Sequence, residues 1–271
     1  MTPPTGDADL LDAIAELARE AGGAILEIHA GGVEVRHKQD DSPVTAADRR
    51  AEEIILKGLA SIAPNVPVLA EESASDGNIP ELGDKFFLVD PLDGTREFIR
   101  GDGEFTVNIA LVRDRRPVLG VVYAPALGKL YAGSNGAGAW RREYAQDPAA
   151  RPLGDKTPIA ARARPSKGMT AVASRSHRSS ETDDFLKTLD IAEFAAAGSS
   201  VKFCRIAEGA ADIYPRFGRT MEWDTGAGQA VLEAAGGCVV ERHSGGSLVY
   251  GKAERGFDNP HFIAWGRPPE D

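Results

Sequence analysis

At 271 residues the chain is long enough for one large domain or two lobes sharing a core. With 42% hydrophobic and 27% charged residues it has the composition of an ordinary soluble globule. A formal net charge of -10 argues against nucleic acid or an anionic membrane as partner, although metals and a local basic patch would still let an acidic enzyme hold an anionic substrate. The two cysteines, Cys204 and Cys238, are too few for a disulfide scaffold and lack zinc-ligand spacing. The opening "MTPPTGDADL" has neither a basic nor an apolar signal region, so a cytoplasmic location is expected, with peripheral association at the inner membrane left open.

In chain order, "LLDAIAELAREAGGAILEIHA" has helical apolar spacing and predicts a first amphipathic helix. "GGVEVRHKQDDSPV" reads as a loop or short hairpin. "TAADRRAEEIILKGLASIAP" resumes helical periodicity until Pro64, and Asp48 falls near its start. The short apolar run "VPVLA" ends directly on Glu71 and Glu72.

Next comes "FFLVDPLDGTREF", from Phe86 to Phe98. Its continuous apolar run predicts a strand buried on both faces, which Pro91 is expected to stop. Asp90 and Asp93 then stand at the lip of that strand. Gly94 permits a tight turn, and Thr95 opens the short segment "TREFIR", whose free N–H groups suit a phosphate. Two carboxylates beside an anion cradle repel that anion unless divalent cations lie between them, and hard oxygen ligands favour Mg²⁺. The Asp-x-Asp-Gly-Thr pattern of haloacid dehalogenase-type phosphatases does not apply, because Pro91 stands where its nucleophilic aspartate would be.

"TVNIALVRDRRPVLGVVYAP" predicts two strands joined by a charged turn. The glycines of "GKLYAGSNGAGAW" fit a hairpin better than a nucleotide loop. The stretch around 145–168 is a plausible joint, which divides the chain into an α+β lobe (residues 1–150) carrying the acid motifs and an α/β lobe (residues 151–271). In the second half "MTAVAS", "ETDDFLKTL", "VKFCRIAEGAADIY", "DTGAGQAVLEAAGG", "CVVE" and "HFIAW" alternate strand and helix signals. Asp224 has the look of a helix N-cap.

Taken together and in this order, "PVTAAD", "EES", "DPLDGT" and "WDTGAG" resemble the inositol monophosphatase superfamily of Mg²⁺-dependent, Li⁺-sensitive phosphatases. "DGTREFIRGDGEFTVNIALV", "SRSH" and "GSSVKFCRIAEGAADIYPRFG" point to its bisphosphate nucleotidase branch. The resemblance implies a layered αβαβα sandwich and two or three Mg²⁺ per site. Glu71, Asp90, the Leu92 carbonyl, Asp93 and Asp224 would be the metal ligands, with Asp90 bridging. Asp48 and Thr95 would orient and deprotonate the metal-activated water, and the N–H groups of Gly94 and Thr95 would receive the scissile phosphate. His177, Ser199, Lys202 and Arg216 would hold the nucleotide and its second phosphate.

The function so implied is hydrolysis of adenosine 3',5'-bisphosphate, or of its sulfated form, in sulfur assimilation, by a monomer or homodimer without nucleic-acid partners. Glu222 resembles an acid that binds inositol hydroxyls, which keeps open an inositol monophosphatase or another small sugar-phosphate phosphatase. A reading of another class is a non-catalytic nucleotide or lithium sensor. The presence of all five acids (Asp48, Glu71, Asp90, Asp93 and Asp224) argues against it.

Overall fold

The computed structural model describes residues 4, 6–32, 35–37, 43–146, 152–173 and 179–267. Helix α1 (Asp7–Gly31) buries Leu10, Ile14, Leu17, Ala21 and Ile25 at helical spacing. A short antiparallel pair, β1 (Val35–His37) and β2 (Pro43–Thr45), leads into α2 (Ala46–Ile62), which buries Ala47, Ala51, Ile55 and Leu59. These stripes lay both helices on one face of a seven-stranded sheet.

That sheet is built from β3 (Val68–Ala70), β4 (Lys85–Asp93), β5 (Thr106–Arg113), β6 (Arg116–Ala124), β7 (Lys129–Ser134), β8 (Gly138–Glu143) and β9 (Thr157–Ile159), in that spatial order. Only β3 and β4 run parallel; the other neighbours are antiparallel. Two short helices sit at strand ends: α3 (Glu71–Ser75) after β3 and α4 (Thr95–Arg100) after β4. The continuous apolar run of β4 has a direct cause. Phe87 and Val89 pack with α1 and α2, whereas Phe86 and Leu88 face the opposite core.

The second half adds β10 (Met169–Ala173), α5 (Ser180–Lys187), β11 (Ile191–Ala196), α6 (Val201–Ala207), β12 (Ile213–Arg216), α7 (Glu222–Ala234), β13 (Cys238–Glu241) and β14 (Phe262–Trp265). Its five strands are ordered β11-β10-β12-β14-β13, with β10 parallel to both neighbours. Helices α6 and α7 lie between the two sheets in one core that includes Leu88, Ala110, Phe203, Val231 and Phe262. Helix α5 covers the outer face through Leu186, against Ala171, Ile213 and Ile263. The layers are therefore α, β, α, β, α, as the family resemblance implied. Helix α7 lies close on β6: a Cβ at Gly120 would come within 2.6 Å of the Ala227 carbonyl oxygen.

Two local expectations change. Pro91 does not stop β4, which continues to Asp93 through a register shift between Asp90 and Asp93. The ladder there has no partner for Pro91 or Leu92, so the missing proline N–H leaves no gap. Asp224 is not the N-cap of α7. The helix begins at Glu222, and the Asp224 carboxylate reaches back to accept the Met221 N–H at 2.8 Å. No helix among the described residues is long and apolar enough to cross a membrane.

Candidate active site

The acids reach the site from the ends of helices and strands. Thr45 caps α2, accepting the Ala47 N–H at 3.1 Å, while Asp48 Oδ2 accepts the Thr45 N–H and hydroxyl, both at 2.7 Å. The other carboxylate oxygen, Oδ1, accepts the Thr95 hydroxyl at 3.1 Å. That hydroxyl also lies 3.3 Å from the Leu92 carbonyl oxygen. Burial pushes the Asp48 carboxyl up from the ordinary range, partly offset by its bonds to Thr45 and Thr95.

Asp90 occupies the β4 register shift, where its Oδ1 accepts the Leu92 N–H at 3.0 Å. It is buried, and its pKa lies well above the usual carboxylate value. Burial is the main cause, followed by the neighbouring charges of Glu71, Asp93 and Asp224; a hydrogen bond shared with Glu71 adds to the effect. Burial likewise raises Asp224, helped by Asp93 and Glu71. Asp93 is raised by burial too, against the opposing charge of Lys202 and hydrogen bonds from Ser200. These mutual effects bring Glu71, Asp90, Asp93 and Asp224 into one cluster, drawn from α3, β4 and α7.

All the donors are hard oxygens, and buried carboxylates that raise one another's proton affinity require protons or cations between them. The set therefore fits divalent cations such as Mg²⁺. Among the described residues no three acid, histidine or cysteine side chains already stand as a closed metal-holding group. Asp90 and Glu71 instead share a hydrogen bond with each other.

Gly94 precedes α4 with φ 94°, a left-handed conformation that a side chain rarely adopts. A Cβ there would also meet Ser199 Oγ at 2.2 Å. Ser199 itself sits at φ 46°, and its hydroxyl lies 2.8 Å from the carbonyl oxygens of both Asp93 and Glu104. It ties the start of α6 to the β4–α4 turn. The neighbouring Ser200 hydroxyl donates to the Asp224 carbonyl at 2.9 Å and accepts from Asn108 at 3.1 Å. Sequence reasoning passed over Ser200 and Asn108. A polar residue inside the apolar strand "TVNIALV" is the signal that would have found Asn108.

Lys202 is buried beside Asp93 and Arg216, with its ammonium 5.3 Å from the Tyr214 ring centre. Burial lowers its pKa to about 8; Arg216 works in the same direction and Asp93 against it. Arg216 carries a buried Nε without a hydrogen-bond partner, and its Nη2 donates to the Arg219 carbonyl at 3.1 Å. The two cations thus border the acid cluster. His177 lies outside the described residues. Glu222 is fully buried: Oε1 accepts the Lys252 N–H and its ammonium, both at 2.8 Å, and Oε2 accepts the Gly251 N–H at 2.7 Å.

The comparisons with known proteins agree with this geometry. Residues 7–261 match the inositol monophosphatase family. A protein of Salmonella typhimurium strain LT2 named 3'(2'),5'-bisphosphate nucleotidase CysQ is 45% identical over 93% of this chain and 98% of its own. The Escherichia coli K12 protein of the same name is 44% identical over the same shares. Among solved structures, CysQ from Bacteroides thetaiotaomicron superposes with a TM-score of 0.75 at 37% identity, covering 95% of this chain and 97% of that one. A Thermotoga maritima IMPase gives 0.74 at 27% identity, over 95% and 92%. The acid-bearing strand and helix ends, the layered fold and these likenesses coincide along nearly the whole length: the chain belongs to the inositol monophosphatase family.

Proposed function

We infer that the chain is a 3'(2'),5'-bisphosphate nucleotidase, a phosphatase that removes one phosphate from adenosine 3',5'-bisphosphate and leaves AMP. The observation that carries this reading is the placement of Lys202 and Arg216 against the carboxylate cluster. Relatives of 44–45% identity bear the same activity in their names. A substrate with two phosphates needs one of them at the cations while the other is cleaved, and charge-assisted contacts suit the phosphate that stays.

The proposed metals are Mg²⁺, two or three per site, held by Glu71, Asp90, the Leu92 carbonyl, Asp93 and Asp224. When bound, they supply charge stabilisation to the phosphoryl oxygens and lower the pKa of water. The protein's own groups do the positioning. Thr95 Oγ1, donating to Asp48, keeps lone pairs free to accept a proton from the attacking water. Asp48 is the acceptor behind it, and its burial makes it a better one than a solvated carboxylate. The Gly94 and Thr95 N–H groups open α4 towards the scissile phosphate.

The same proposal includes inhibition by millimolar Li⁺, a cytoplasmic location, a role in sulfur assimilation and ligand contacts from His177 and Ser199. For Ser199 the contact falls to the backbone, since its hydroxyl serves two carbonyls. The inositol phosphatase alternative loses the support of Glu222, whose carboxylate is buried in an ion pair and cannot meet a sugar hydroxyl. The test is kcat/KM for adenosine 3',5'-bisphosphate and inositol 1-phosphate at fixed Mg²⁺. The nucleotide is expected to lead by at least tenfold, and parity would overturn the nucleotidase reading.

A further inference from the structure

Helix α3 presents Glu71 as its first residue, yet it has no cap of its own. Ala70 stands at its N-cap position and supplies no side-chain acceptor. The first N–H groups of a helix have no partner within it, and a buried start left bare is costly. Here the partner comes from another element. Glu52, buried on α2, accepts the Glu72 N–H through Oε2 at 2.8 Å. Its Oε1 accepts the Ser73 N–H at 2.8 Å and the Ser73 hydroxyl at 2.6 Å. The other end of α3 is also tied to α2, since Arg49 makes a two-point contact with Asp76 at 2.9 and 3.3 Å. That pair is exposed, so it holds little.

Glu52 follows Asp48 by four residues, one helical turn, so both carboxylates leave the same face of α2. Asp48 goes to Thr95, and Glu52 goes to the helix start that bears Glu71. We propose that Glu52 is a positioning residue for the metal site: acting as a cap supplied from α2, it fixes the direction in which Glu71 leaves α3 and thereby sets metal affinity. Through this one helix face, the water-orienting end and a metal-holding end of the site share a single rigid support. The inference rests on the metal assignment made above.

The test measures Mn²⁺ binding to the full-length protein by calorimetry, and the rise in Tm on adding Mg²⁺, for wild type, Glu52→Gln, Ser73→Ala and Arg49→Ala. Glu52→Gln keeps the length but points an NH₂ at N–H donors. It is expected to weaken Mn²⁺ binding about tenfold, as loss of a support behind a metal ligand does, and to shrink the Mg²⁺-induced rise in Tm. Ser73→Ala removes only the 2.6 Å hydroxyl bond to Glu52 and should weaken binding a few-fold, which keeps the test alive if Glu52→Gln fails to fold. Arg49→Ala should leave binding unchanged. If Glu52→Gln and Ser73→Ala both bind Mn²⁺ as wild type does, Glu52 is merely structural and the inference falls. If wild type itself binds no Mn²⁺, the metal assignment falls instead.

Discussion

Two sets of buried or half-buried carboxylates in this molecule have different surroundings. Glu52, Glu222 and Asp212 are each met by donors: backbone N–H groups for the first, Lys252 and two N–H groups for the second, Arg162 and the Thr170 N–H for the third. Asp90 and Asp224 each accept one backbone N–H and otherwise face acids, Asp93 and Glu71 among them, while Asp93 also faces Lys202; burial raises all three above the ordinary carboxylate range. Glu222 and Asp224 show the contrast within one helical turn. The first is closed into an ion pair with Lys252, the second faces Asp93. Carboxylates fully met by donors, as those of Glu52, Glu222 and Asp212 are, need no further partner, whereas a group of acids that face one another lacks one and fits a cation.

The comparison breaks most sharply at Asp90. Asp90→Asn should reduce turnover by about a thousandfold or more, the scale seen when a central electrostatic group is lost. In metal-free buffer the same change should stabilise the fold by about 0.5–2 kcal/mol. It replaces a carboxyl that has to take up a proton with a neutral amide, keeps Oδ1 for the Leu92 N–H and retains a donor for the bond shared with Glu71. Activity assays with Mg²⁺ and thermal unfolding in chelator measure the two halves of this expectation.

For the other set the sign reverses. Glu222→Gln should cost about 3–5 kcal/mol, because Lys252 is left charged and buried without its partner. Denaturant titration reads that loss, and Mg²⁺ should not restore it. Between these extremes lies Lys202→Ala, which removes one charge-assisted contact worth roughly 1.5–3 kcal/mol. On adenosine 3',5'-bisphosphate kcat/KM should fall ten- to a hundredfold, with inositol 1-phosphate barely affected. Equal losses on both would make Lys202 part of the common site.

How far this contrast could be read in advance varies by residue. Asp90 and Asp93 were legible because their motif is local, an apolar run, two acids three apart and a glycine within a few residues, whereas the pairing of Thr95 with Asp48 came only with the family resemblance. Helical spacing made α1 and α2 legible and the unbroken apolar run made β4 legible, whereas the layered arrangement came only with the family resemblance. The fate of Glu222 was not, since Gly251 and Lys252 lie about thirty residues away and nothing local names them. Glu52 was hidden for the same reason, its partners lying 20 and 21 residues on. Strand β11 gave no signal because most of "IAEFAA" is exposed, so it lacks the buried pattern that marks a strand.

The smallest effect concerns a paired acid at the surface. Arg113 holds the Asp7 carboxyl below its usual value through a two-point contact at 2.5 and 2.7 Å. A lowered carboxylate pKa stabilises the fold above the unfolded-state value and loses that contribution as pH falls through the folded-state value. Because both side chains are more than a third exposed, the contribution at neutral pH should be only about 0.2–1 kcal/mol. Asp7→Asn compared with wild type at neutral and acid pH should show a small difference that disappears on acidification.

The most direct test of the central claim is the thermal stability of Asp224→Asn and Glu222→Gln, two residues apart, each measured in chelator and then in Mg²⁺. Both substitutions replace one carboxyl at the start of α7, buried at Glu222 and half-buried at Asp224, and preserve an oxygen acceptor. Opposite signs are expected in chelator: a higher Tm for Asp224→Asn, a lower one for Glu222→Gln. Mg²⁺ is further expected to raise Tm in wild type and Glu222→Gln but much less in Asp224→Asn. If both substitutions lower Tm alike in chelator and respond alike to Mg²⁺, the division of buried acids into scaffold and cation site is contradicted.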